Sequence, residues 1–393
     1  MTISQKIKAM VEESSWVRKM FDSAGQLKAV YGEENIYDFS LGNPVEEPPL
    51  FFQEELKRII INSANGMHRY MPNAGYPETR KKVADMLKKK SGLPFSVEHI
   101  IMTNGAAGGL NVALKTILNP GDEVIVLNPY FVEYKFYIDY HGGIMKLVDT
   151  NKDFTLNIDK IKTNITGRTK AIIVNSPNNP TGVIYSKSSL EELSEILKKK
   201  SDEKGEAIYI LADEAYREII YDNLELPEIP TIYPDTILIG SFSKSLGVPG
   251  ERIGYIAICP LAKDCDDLIE GMVFSNRTLG FVNAPAIMQR VLMKINGQFI
   301  DGSVYQNKRD LLYENLTKFG YQVIKPQGAF YMFPKSPIGD DLTFVMELQK
   351  NRVLAVPGKG FGKPGYFRIA FCVKDEVIYN SLPIFEKVIK QFQ

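Results

Sequence analysis

A chain of 393 residues exceeds the span of one typical hydrophobic core, so about two domains are expected. Apolar residues make up 44% and charged residues 24%, an ordinary globular mix, and 47 basic residues balance 47 acidic ones, which gives no support for a nucleic-acid or acidic-membrane partner. Cys259, Cys265 and Cys372 form no C-x-x-C pair and His68, His99 and His141 are scattered, so neither a disulfide framework nor a metal site is expected.

The first residues lack the apolar stretch of a signal peptide, and every apolar run is shorter than the roughly 18 residues of a membrane helix. A cytoplasmic protein is the expectation. In chain order, the pattern predicts a helix over 11–24 and an extended segment over 37–41. Then short apolar runs alternate with helical segments. Strands are expected at 100–102, 124–127, 171–174, 208–212 and 236–239, and helices at 108–118 and 189–200. Buried runs separated by helices read as a parallel or mostly parallel sheet covered on both faces. Beyond about 300 the order changes to a helix at 303–320, strands at 321–324 and 329–333, a helix at 342–350, a further strand, and a helix from Asp375. That is an α+β pattern, and both termini are expected to build it together.

The unusual polar segments follow the apolar runs, at the strand ends where open α/β sheets bind ligands. Gly105, Ala106 and Ala107 can open a helix whose free amides and dipole hold a phosphate, although an ordinary strand–helix turn reads the same. Phe131 can stack on a ring; with Tyr130 and Tyr134 it reads equally as a core or interface aromatic. Asn179, Pro180, Thr181 and Gly182 are good turn residues, and Asn179 could also donate to a phenolate oxygen. Asp213 could pair with a protonated pyridine nitrogen or cap a helix. Lys244 follows Ser241 and Ser243, with Arg252 eight residues on. Its amine can form a Schiff base with an aldehyde cofactor whose phosphate the hydroxyls and the guanidinium hold. Gly358, Gly360 and Gly362 precede another strand, so that segment reads as a loop rather than a dinucleotide fingerprint.

In this combination and order the chain resembles the class I/II aminotransferases, fold-type-I enzymes that use pyridoxal 5'-phosphate (PLP). The resemblance runs from about Asp38 to Phe371. It is carried by Asn179-Pro180-Thr181-Gly182, Asp213-Glu214-Ala215-Tyr216, Ser241-x-Ser243-Lys244 with Arg252, and Phe367-Arg368-Ile369. It implies an α/β fold, with a mostly parallel sheet sandwiched by helices over 46–295 and a smaller α+β domain from 1–45 and 296–393. It implies that Lys244 holds PLP as a Schiff base and that Asp213 pairs with the ring nitrogen. Tyr216 and Asn179 would bond the phenolic oxygen. Gly105, Ala106, Ala107, Ser241, Ser243 and Arg252 would hold the phosphate, and Phe131 would stack where many relatives have tryptophan. Arg368, with Gly42 and Asn179, would bind the substrate α-carboxylate.

Tyr70 resembles the tyrosine that reaches the neighbouring subunit's phosphate, which implies a homodimer with shared sites. The implied activity is ping-pong transfer of an amino group from an amino acid to a 2-oxo acid, with aspartate-like or broad specificity. Arg277 could meet the second carboxylate of an acidic substrate across the dimer, and is equally readable as structural. Trp16 and Arg18 could cover the pocket. The main rival is a PLP-dependent carbon–sulfur β-lyase on the same scaffold, because fold and cofactor do not fix the reaction. A PLP-sensing regulator is not expected, since it needs a DNA-binding domain before the family-like sequence.

Overall fold

The structure, a computed structural model, describes residues 2–13, 25, 27–62 and 65–392. Gln5–Glu13 is helical. Most of the helix expected over 11–24, with Trp16 and Arg18, lies outside the described residues.

A short strand β1 (Tyr37–Asp38) precedes the central sheet. That sheet contains β2 (Ile100–Thr103), β3 (Glu123–Asn128), β4 (Ile144–Asp149), β5 (Thr169–Asn175), β6 (Tyr209–Asp213), β7 (Thr236–Ser241) and β8 (Gly254–Ile258), in the spatial order β2-β8-β7-β6-β5-β3-β4. β4, β3, β5, β6 and β7 run parallel in that succession, and β8 lies antiparallel between β7 and β2. The inner strands are buried along their length because helices cover both faces. Alternate residues divide between two cores. Ile125 and Leu127 join Val83, Leu87, Leu190 and Leu193 on one face, while Val124 and Val126 join Leu110, Leu114, Leu268 and Met272 on the other.

Helix ends follow local chemistry. The Lys187–Lys204 helix starts where the Ser186 side chain accepts from the Ser189 amide and stops at Gly205, whose φ is 76°. The chain pattern located β2, β3, β5, β6 and β7 but passed over β4 and β8. β4 is an edge strand with much of its length exposed, so it lacks a continuous apolar signature. The helix expected at 108–118 begins earlier, at Gly105.

The smaller unit joins the two ends of the chain. β1 pairs in parallel with β10 (Val353–Leu354), after β9 (Tyr331–Met332); β11 (Val356–Pro357), β12 (Phe367–Ala370) and β9 form an antiparallel sheet in the order β11-β12-β9. Helices Gly302–Phe319, Asp341–Lys350 and Asp375–Ile389 pack around them. One apolar core unites Phe39 with Leu312, Phe344 and Phe385, and it also takes in Tyr216 and Ile219 from the turn after β6. Residues 321–324 are not a strand. Tyr321 is buried with its hydroxyl donating to the Phe385 carbonyl, but Ile324 is exposed, and the Gln322 carbonyl accepts from the Lys335 amide at 2.8 Å without a strand ladder forming. Among the described residues, no helix is long and apolar enough to cross a membrane.

Candidate active site

The carboxyl ends of β5, β6 and β7 and the start of the Gly105–Ile117 helix open onto a cavity of about 300 Å³. The smaller unit closes the opposite wall with Tyr331, Phe361 and Arg368.

At one end of the cavity the backbone comes unusually close together. Gly105 has φ +69°, and a Cβ there would lie 2.8 Å from Arg252 Nη2. A Cβ on Gly254 would lie 2.9 Å from the Gly105 backbone, so the start of β8 presses directly on the helix start. Arg252 itself occupies the left-handed region (φ 50°, ψ 52°), which a branched or long side chain adopts only where its surroundings impose it. Its Nη1 donates to the Pro249 carbonyl at 3.0 Å. Ser241 and Ser243 stand beside it, with the Ser243 amide donating to Ser241 Oγ at 3.1 Å. Helix amides, two hydroxyls and a guanidinium thus meet in one corner, the donor set that a phosphate requires.

Deeper in the cavity, Asp213 ends β6 and is only 6% exposed. Its Oδ2 accepts a hydrogen bond from Tyr134 Oη at 2.5 Å, while Oδ1 is buried with no partner. Burial raises the carboxyl to a pKa of about 6, against the opposing hydrogen bond from Tyr134. Behind it, Asn175 Nδ2 donates to the Asp213 carbonyl at 2.9 Å and Asn175 Oδ1 accepts from the Asn179 amide at 2.8 Å. Tyr216 and Tyr331 share a hydroxyl–hydroxyl bond of 2.8 Å. Phe131 forms a side wall and meets Tyr134 edge-on, with ring centroids 5.5 Å apart.

Lys244 projects between these groups. Its Nζ donates to the Gly42 carbonyl at 2.6 Å and lies 5.6 Å from the Phe330 ring centroid. Burial lowers its pKa to about 8, and Arg252 and Arg368 push the same way. Arg368, on β12, is 5% exposed and lies between two rings, its Cζ 4.7 Å from the centroids of both Tyr331 and Phe361. Nη1 donates to Asn179 Oδ1 at 3.1 Å and Nη2 to the Ser40 carbonyl at 2.7 Å, leaving Nε buried and unpaired. Gly42 is glycine for a steric reason: a Cβ would sit 1.9 Å from Tyr331 Oη.

Of the residues singled out from sequence, Gly42, Ala106, Ala107, Phe131, Asn179, Asp213, Tyr216, Ser241, Ser243, Lys244, Arg252 and Arg368 line this cavity, and Gly105 backs it against Arg252. Two lie elsewhere. Tyr70 is 92% exposed, and Arg277 is exposed with its guanidinium 5.5 Å from the Phe274 ring centroid. In sequence Tyr134 reads as a core or interface aromatic, and nothing there singles out Tyr331 or Phe361. The spacing of Phe131 and Tyr134 was a usable signal, since residues three apart in a helical turn share a face. Tyr331 had none, because its place depends on pairing with Ala370 across β9 and β12.

The residues present fit PLP. The phosphate corner, the orphaned acceptor Asp213 Oδ1 and a desolvated amine match that molecule's phosphate, ring nitrogen and aldehyde.

Comparison with known proteins agrees with this geometry. The family model described as aminotransferase class I and II matches residues 34–382. A probable aspartate aminotransferase of Methanocaldococcus jannaschii is 34% identical over 360 residues, covering 89% of this chain and 92% of that protein. A probable aspartate/prephenate aminotransferase of Aquifex aeolicus is 31% identical over 375 residues, covering 91% and 92%. The crystal structure of an aminotransferase from Eubacterium rectale superimposes with a TM-score of 0.96 at 37% identity, covering all of both chains. A strand-end lysine, a buried acid and an internal arginine on this scaffold therefore have a family: the chain belongs to the class I and II aminotransferases, which depend on PLP.

Proposed function

We propose that this aminotransferase works through Lys244, with Asp213 and Tyr216 as its catalytic partners. The observation behind the reading is that the Lys244 amine, the unpaired Asp213 Oδ1 and the buried Arg368 guanidinium face one cavity. Gly105, Ala106, Ala107, Ser241, Ser243 and Arg252 would hold the PLP phosphate, Asp213 the ring nitrogen, Asn179 and Tyr216 the phenolic oxygen, and Phe131 a ring face. When bound, PLP supplies an aldehyde for the amine and a ring that accepts electrons released at the substrate Cα.

The protein residues do the rest. Arg368 binds the donor's α-carboxylate through its planar fork, with the Gly42 backbone and Asn179 beside it. That grip orients the Cα–H bond toward Lys244. A lysine with a pKa of about 8 is mostly protonated near physiological pH but keeps a far larger neutral fraction than an ordinary lysine, and in that form Nζ can remove the Cα proton. Tyr331 and Phe361 exclude water from the arginine.

Amino acid and 2-oxo acid are the two substrates, and an aspartate-like or broad donor range is the reading we favour. Names of relatives that include aspartate and prephenate support it. We extend the reading to a homodimer in which Tyr70 reaches the partner's phosphate, and to a large domain over 46–295 with a small domain from 1–45 and 296–393. The exposed position of Tyr70 is what an intersubunit role needs. No observation favours a carbon–sulfur lyase. Lys244→Ala should lower transamination by more than about a thousandfold while circular dichroism of the apoprotein stays unchanged; substantial residual turnover would overturn the assignment.

A further inference from the structure

Tyr134 lies outside the set of side chains given a role above, yet it makes the shortest polar contact to Asp213. Its hydroxyl donates to Oδ2 at 2.5 Å, both residues are buried, and the other carboxylate oxygen is left without a partner. The arrangement is specific in two ways. Tyr134 follows Phe131 by three residues, and the Tyr134 amide donates to the Phe131 carbonyl at 3.1 Å, so a single turn presents both the side wall and the donor to Asp213. The donor is also neutral. Burial and the adjacent Asp213 push the Tyr134 hydroxyl well above its ordinary pKa, so it remains a proton donor throughout the working range. A cationic partner would cancel the carboxylate's charge; a phenol fixes the group in place and leaves that charge available.

The neighbours of Asp213 agree with this assignment. Tyr137 from the same helix and Tyr216 from the turn after β6 also feel the Asp213 charge, and both are raised first by burial; Glu133, from that helix too, lines the same cavity. Lys244, Arg252 and Arg368 stand around the same cavity, but none of them is hydrogen-bonded to the carboxylate. Asn175 holds the Asp213 backbone rather than its side chain.

We propose that Tyr134 is a positioning residue for transamination: its hydroxyl clamps one oxygen of Asp213 so that the other points, still charged, at the ring nitrogen of PLP. This rests on the role proposed for Asp213.

The test is a double-mutant cycle of Tyr134→Phe and Asp213→Asn, with each variant measured for PLP dissociation from the apoprotein, for kcat and for donor KM. Tyr134→Phe removes one oxygen and keeps the ring against Phe131. We expect about 10- to 100-fold weaker PLP binding and a similar loss in kcat, the range of one hydrogen bond to a charged group, with donor KM changed by less than about threefold. In the Asp213→Asn background the same substitution should add little, because the group it positions is already neutral. Equal effects of Tyr134→Phe in both backgrounds, or a loss of thermal stability with unchanged PLP affinity and kcat, would overturn the proposal. If Asp213→Asn itself leaves PLP affinity and kcat intact, the underlying reading of Asp213 fails instead.

Discussion

Lys244 and Arg368 are both cations removed from water, and burial lowers the pKa of each, but only the lysine comes within reach of neutral pH. The lysine gives up its proton more easily; its pKa falls to about 8 because the charged form loses hydration. Below that pH the amine is protonated and cannot attack an aldehyde, and above it the amine is free. Capture of PLP by the apoprotein should therefore accelerate as pH rises through about 8 and then level off, in stopped-flow absorbance. A rise that continues toward the ordinary lysine range near 10.5 would contradict the desolvated site. Arg368 keeps its charge, and its geometry is what matters: two N–H groups are already committed to Asn179 and Ser40, and its plane lies between Tyr331 and Phe361. Arg368→Lys keeps the charge but loses the fork and the stacking. We expect donor KM to rise about 10- to 100-fold with PLP affinity changed less than about threefold. Equal losses in both would argue against a carboxylate role.

At the scale of elements, the site depends on how closely β8 and the Gly105–Ile117 helix approach. Gly105→Ala places a methyl 2.8 Å from Arg252 Nη2 at a backbone φ of +69°, so it should both strain the turn and displace the guanidinium. We expect about tenfold or greater weakening of PLP binding and a destabilisation of about 1 kcal/mol or more, read by PLP titration and thermal unfolding. Unchanged PLP affinity would show that this corner does not hold the phosphate. The same elements show what the sequence could reveal. β3, β5, β6 and β7 are buried on both faces, so their apolar runs stood out, and the polar residues at their ends stood out with them. β4 is an exposed edge, and residues 321–324 alternate like a strand without joining a ladder. Tyr134 and Tyr331 were not legible as site residues because aromatic side chains look alike in sequence whether they fill a core or bond an acid. Only the fold brings Tyr134 to Asp213, 79 positions away, and Tyr331 to Tyr216, 115 positions away.

For the whole molecule, the two ends of the chain build one unit that supplies Arg368, Tyr331 and Phe361, while the central sheet supplies Lys244 and Asp213. Tyr70 reaches neither within its own chain. If a partner shares it, heterodimers of a Lys244→Ala subunit with a Tyr70→Phe subunit carry one intact site, combining the lysine of one chain with the tyrosine of the other. Such heterodimers should hold PLP in that site as tightly as the unmodified protein does; the weakened affinity of the Tyr70→Phe homodimer in every functional site would exclude sharing. The most direct test of the central claim uses the PLP-loaded enzyme with an amino acid donor and no acceptor. Transamination through Lys244 predicts loss of the visible cofactor band, release of at most one equivalent of 2-oxo acid per subunit without ammonia, and recovery of the band when a 2-oxo acid is added. Continuous release of 2-oxo acid with ammonia, or an unchanged spectrum with every donor, would contradict it.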